Sequence, residues 1–180
     1  MFLLTGCAAN KDSKTTDSSD LASIIQEVQS LPDADIHIPN ALVGKEITEE
    51  NAVLVTENEE AHEESTSTYS ISGEERTNIV NGLSQDVVNG INTILSNKEQ
   101  YPNIVSITPN ENCSEFTISV ADGEINIYES MLVMSFYTMG DKYQIYCGVP
   151  QENVKTIVRY INNSTGEIIA ESDSTQMNTN

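Results

Sequence analysis

Between Ser72 and Asn97 the apolar side chains Val80, Leu83, Val87, Ile91, Ile94 and Leu95 recur at steps mostly of three and four. That spacing lays them on one stripe of a 3.6-residue helix, and it is the longest regular signal in the chain. Ser72-Gly73-Glu74-Glu75 at its head fits a capping box, in which the serine oxygen accepts from a backbone N–H and the glutamate reaches back. Gly82 and Gly90 each weaken the helix by about 1 kcal/mol relative to alanine. A helix with that handicap persists only where its stripe packs on another element, so the rest of the chain must supply a surface for it.

Sheet signals follow. Ile104-Val105-Ser106-Ile107-Thr108 lies between Pro102 and Pro109, and Phe116, Ile118 and Val120 alternate with Thr117 and Ser119. Pro109-Asn110-Glu111-Asn112 suits a hairpin loop between them. Asp122-Gly123 turns the chain into Glu124–Met139, where Ile125, Tyr128, Leu132, Phe136 and Met139 share one helical face and Ile127, Met131 and Met134 the opposite one. This predicts a helix buried nearly all round, with a buried strand pair as the alternative. Gly140 favours the helix, because glycine is common just past a helix end. Tyr143, Ile145 and Cys147 then alternate as in a strand, Val154–Ile161 is rich in β-branched residues, and Asn162–Gly166 turns into Glu167–Ala170. The pattern over 69–180 predicts an α+β domain: one antiparallel sheet of about five strands with two helices packed on one face.

The segment before Tyr69 is expected to carry less structure. Residues 8–20 are polar and read as a flexible tether. Leu21, Ile24, Ile25, Val28 and Leu31 sit at helical spacing behind Asp20 as N-cap, and Pro32 ends that turn. Residues 21–68 otherwise form an acidic, weakly structured segment. Ile36 and Ile38 suggest a short edge strand before Pro39, Ala52-Val53-Leu54-Val55 a second strand, and Glu57–Glu64 a solvated acidic loop.

Charge excludes one class of partner. The chain has 28 acidic and 8 basic residues, for a net charge of -20. Both parts are acidic, with 14 acids and 3 bases over 8–70 and 14 acids and 5 bases over 71–180. Such a surface repels phosphate backbones and anionic headgroups, so nucleic acid is no partner and a basic patch cannot hold the chain to a membrane. No run reaches the roughly 18 apolar residues of a transmembrane helix.

Few residues could carry chemistry. The only histidines are His37 and His62, so residues 69–180 offer no histidine triad and no histidine-bound zinc. His37 with Asp33 and Asp35 is a weak metal motif, better read as a solvated strand edge. Cys113 and Cys147 form no C-x-x-C pair; they are a candidate disulfide, or more simply two partly buried thiols. The acidic run lacks the alternating ligands and central glycine of an EF-hand, and no carboxylate pair is singled out by spacing. Phosphate-cradling glycine loops and a G-x-S-x-G elbow are missing. Tyr143, Tyr146 and Tyr160 are the candidate ligand-binding residues. On a strand Tyr143 and Tyr146 would face opposite ways, one into the core and one outward. No metal, cofactor or catalytic residue is implied.

At the start of the chain, Leu4-Thr5-Gly6-Cys7 followed by a polar run resembles the lipobox of bacterial lipoproteins. The resemblance implies a truncated signal peptide over residues 1–7, with the true start upstream, and attachment of a diacylglyceryl group to the Cys7 thiol. The membrane is then the partner through that anchor, and the remaining chain sits on the extracytoplasmic face of the cell membrane. Two chains of acyl type hold a protein stably where one does not. The expected function is a non-catalytic binding or interaction module for a cell-envelope or protein ligand. The alternative is a surface hydrolase working through carboxylates or serine without histidine.

Overall fold

Helix α1 (Gly73–Ser96) forms where the stripe places it, with Val80 and Ile91 fully buried and Leu83, Val87 and Ile94 nearly so. Each such side chain is worth about 1.5–3 kcal/mol when taken out of water. The Ser72 hydroxyl oxygen accepts from the Glu75 N–H at 3.3 Å, which is the serine half of the expected capping box; the Glu75 side chain does not complete it. The computed structural model describes residues 21–58, 65–121 and 124–178, apart from Ala22 and Gln26. The expected tether, lipobox and N-cap Asp20, the Asp122-Gly123 turn and most of the acidic run lie outside the described residues.

Upstream of α1, the described residues Leu21, Ser23 and Ile24 have helical backbone, and residues 27–33 run without regular structure. Side-chain bonds to α1 replace the expected helix there. Asn81 accepts from the Val28 N–H at 3.0 Å and donates to its carbonyl at 3.1 Å, while Thr77 accepts from Leu31 N–H at 3.0 Å. Asp33 accepts from the Gly73 N–H at 2.7 Å, and the buried Arg76 guanidinium donates to the carbonyls of Pro32 and Tyr146. Leu21 and Ile25 thereby enter the core.

Among the described residues three strands precede α1: β1 (Ala34–Pro39), β2 (Val53–Asn58) and β3 (Thr66–Ile71). They pair antiparallel in the order β1-β3-β2, with Ile36 opposite Tyr69 and Leu54 also opposite Tyr69 on the other side. The domain start expected at Tyr69 thus falls inside β3. Ile36, Ile38 and Ala52 share one apolar cluster with the later helices.

After α1, β4 (Ile104–Pro109) and β5 (Glu115–Val120) form the expected hairpin, with Ile107 opposite Ile118. Helix α2 (Ile127–Cys147) follows, then β6 (Ile157–Asn162) and β7 (Ile168–Asp173). The second sheet has the order β4-β5-β6-β7. The single antiparallel sheet of about five strands is therefore replaced by a three-stranded and a four-stranded sheet, and β5 pairs parallel with β6. The α+β class stands.

The cause is α2. Gly140 does not end it: a Cβ there would overlap the Cys113 carbonyl and the Thr156 side chain, so glycine is required by close packing. The helix continues through Tyr143, Ile145 and Cys147, which are not a strand, and stops at Gly148 with φ +90° in the left-handed region. An intervening helix of this length brings the chain back parallel to the strand it left. At its start Asn126 and Glu129 form a full capping box. The fully buried Glu129 carboxylate also accepts from the Asn103 backbone and side chain at 2.8 and 3.1 Å. Helix α2 packs against α1, β1 and β6, and Phe136 stacks on Phe116 of β5 with ring centres 4.7 Å apart. It is the element that joins the two sheets.

Candidate ligand cleft

A cleft of about 400 Å³ opens where α2 meets three non-helical stretches. One wall is Pro39, Ala41 and Leu42, at the end of β1 and the 3₁₀ turn after it. The floor is Thr138, Asp141 and Ile145, successive residues on one face of α2. Gln151, Glu152 and Val154 from the loop before β6, with Ser174 and Thr175 after β7, close the far side. The floor depends on α2 running past Gly140; a helix ending there would leave only Thr138 of it.

A hydrogen-bond network fixes the polar part. Asp141 Oδ1 accepts from Thr156 Oγ1 at 2.6 Å and from the buried Ser174 hydroxyl at 3.0 Å, and Ser174 Oγ accepts from the Thr156 N–H at 3.1 Å. Beneath it the buried Gln144 donates to the carbonyls of Gly140 and Lys155 and to Thr156 Oγ1, and accepts from the Lys155 N–H at 3.3 Å. Beside the cleft, the Thr175 hydroxyl and Lys155 hold the Asp173 carboxyl below the usual carboxylate range. Among the described residues the lining contributes two carboxylates, Asp141 and Glu152, and no lysine, arginine or histidine. Its chemistry is that of a hydrogen-bond acceptor with apolar walls. The Ser174 hydroxyl donates to a carboxylate, and among the described residues of the lining no imidazole stands by to act as base.

The residues singled out in the sequence lie elsewhere. Tyr143, Tyr146 and Tyr160 are all buried, at 3%, 0% and 3% exposure, so none presents its ring to a ligand. Tyr143 and Tyr146 sit on helix α2 and not on a strand, which removes the argument that they face opposite ways. Burial pushes the Tyr143 hydroxyl up to about 12, and raises Tyr146 and Tyr160 as well. Tyr160 donates to the Glu129 carbonyl at 2.5 Å, tying β6 to α2. Cys113 and Cys147 are free thiols. Burial pushes Cys113 up to about 12 and raises Cys147, so neither is a ready nucleophile.

His37 lies 2.8 Å from Thr68 Oγ1 on the neighbouring strand, and Asp33 is engaged at the head of α1. Among the described residues no group of three histidine, cysteine or acidic side chains is placed to hold a metal ion, and no helix is long and apolar enough to cross a membrane. Cys7 lies outside the described residues. Thr138, Asp141 and Ser174 carry no signal of their own in the sequence. Thr138, Asp141 and Ile145 would align at steps of three and four only once the helix is drawn through Gly140.

No known protein family, curated protein or solved structure matches this chain.

Proposed function

We propose that the protein is a lipoprotein anchored through Cys7 to the extracytoplasmic face of the cell membrane, whose α+β domain binds a ligand without catalysing a reaction. The anchor rests on Leu4-Thr5-Gly6-Cys7 and the polar run behind it. The binding reading rests on one observation: the cleft has apolar walls and fixed acceptors, and its central carboxylate is occupied in holding α2 to Thr156 and Ser174. A carboxylate bonded in this way is suited to positioning, since general acid–base work needs a group within reach of the reacting proton.

The test is turnover. Purified protein is screened against glycan, peptide and ester substrates, with and without divalent ions, and the expected result is no turnover above background. General acid–base catalysis contributes about 10²–10⁴-fold per positioned group. Turnover that collapses on Asp141→Asn or Ser174→Ala while the fold is kept would establish the hydrolase instead. The anchor is tested separately by labelled fatty acid, which should enter the wild type and not Cys7→Ala; equal labelling rejects it.

A further inference from the structure

Helix α2 buries one side and leaves another apolar side in water. Ile127, Tyr128, Met131 and Met134 are 69%, 56%, 63% and 54% exposed. The other exposed residues of this part of the helix are Ser130, Ser135 and Thr138, so none of its exposed side chains from 127 to 138 is charged. On a chain of net charge -20 this uncharged strip stands apart. It also does not stop at Thr138. Ile127, Met131, Met134, Thr138, Asp141 and Ile145 follow one another at steps of four and three, so the strip runs without a break into the floor of the cleft. At 1.5 Å per residue the line is about 27 Å long.

We propose that this line is the docking surface for one amphipathic, cationic segment of a partner protein. The segment's apolar side chains cover Ile127 to Met134, and a lysine or arginine enters the cleft toward the exposed Glu152. This rests on the binding reading above and names the class of its ligand. Interface centres are depleted of charge and enriched in methionine and aromatic side chains, which is the composition of the strip. Methionine adapts its shape to helical targets with different side chains. Electrostatic complementarity selects the sign: among the described residues the charged groups of the cleft lining are acidic, and the net charge of -20 attracts cations. The same charge disfavours two other occupants. A second copy would bring its own -20 against the first, and an anionic bilayer surface would be repelled.

The full chain is titrated with a labelled leucine–lysine amphipathic peptide about 18 residues long, the length that spans the line as a helix. A leucine–glutamate peptide and a serine–lysine peptide of matching length serve as controls. Methionine methyl resonances report the site, Met131 and Met134 being exposed and Met139 partly buried. The expected result is binding of the leucine–lysine peptide alone, with shifts at Met131 and Met134. Affinity should fall on the order of tenfold for Met131→Asp and for Glu152→Lys, each about 1.4 kcal/mol. Circular dichroism checks that both exposed substitutions leave the fold intact. Equal binding of either control peptide, or binding without shifts at the two methionines, overturns the proposal. So does a concentration-dependent dimer that shields them, or flotation of the chain with lipid vesicles through them. Any of these results without turnover leaves the non-catalytic reading standing, whereas turnover on the substrate panel removes that reading itself.

Discussion

Helices α1 and α2 have similar lengths, 24 and 21 residues, yet face water in opposite ways. Outside, α1 shows Glu74, Asn78, Gln85, Asp86, Asn89 and Thr93; α2 shows Ile127, Tyr128, Met131 and Met134. Helix α1 has one apolar stripe and buries it. Helix α2 has apolar residues on every side, and its inward side is chosen by its neighbours α1, β1 and β6. The difference separates two uses of hydrophobic surface. On α1 it is spent on folding, and on α2 a share is left over that folding does not use. Leftover apolar area beside an acidic cleft is what a binding surface needs.

Alkaline titration should break the seam between the two helices with the largest effect. Tyr143 of α2 lies beside Ser84 of α1 and is raised from 10.0 to about 12, and Cys113 is raised from 9.0 to about 12, both chiefly by burial. Raised acids keep their protons in the folded state. Their contribution is fully present below pH 9 and is lost as pH climbs toward about 12. Each unit of difference is worth about 1.4 kcal/mol, so two acids raised by burial make a loss of several kcal/mol the expected outcome. Urea midpoints should fall steeply above pH 9, and a flat profile to pH 12 would refute the seam.

Truncating inner faces comes next. Phe136→Ala on α2 should cost about 3–5 kcal/mol and Ile91→Ala on α1 about 2–5 kcal/mol, read from denaturant unfolding. Equal loss on changing Met134→Ala would show that the outer face of α2 is core after all.

The glycines sharpen the comparison by sign. Gly140→Ala on α2 forces a Cβ into the Cys113 carbonyl and Thr156 and should cost about 1–3 kcal/mol. On α1, Gly82→Ala meets open space and should gain about 0.5–1 kcal/mol. The same sign at both sites would contradict the packing described.

The smallest effect belongs to the outer face. Met131→Ser and Met134→Ser should each change stability by no more than about 0.5 kcal/mol, while weakening the leucine–lysine peptide. Thermal melts and the peptide titration check the two halves of this prediction on the same samples.

The extent to which the structure was legible follows the same division. Helix α1, its serine cap, the β4–β5 hairpin, and β1 and β2 could be read because each has a period or a turn that only one conformation satisfies. Gly140 misled the reading of α2. A glycine after an apolar run marks a helix end by frequency, but here it marks a close approach to Cys113 and Thr156, which no local pattern reports. A helix ended at Gly140 puts Tyr143, Ile145 and Cys147 in a strand-like alternation, and only on such a strand would Tyr143 and Tyr146 face opposite ways. Two of the cleft-floor residues, Asp141 and Ile145, lie in that misread stretch, so the site was hidden with it.

By itself the sequence determined the α+β class, the place and inward face of α1, the acidic surface and the four-residue resemblance to a lipobox. Those depend on composition or on spacing along one element. Tertiary structure decided the number of sheets, the parallel pairing of β5 with β6, the burial of Tyr143, Tyr146 and Tyr160, and the face of α2 left in water. Each of these depends on which surfaces distant segments cover. A helix apolar on all sides carries no phase of its own, so only its neighbours could set which side became core and which side became the strip leading to Asp141.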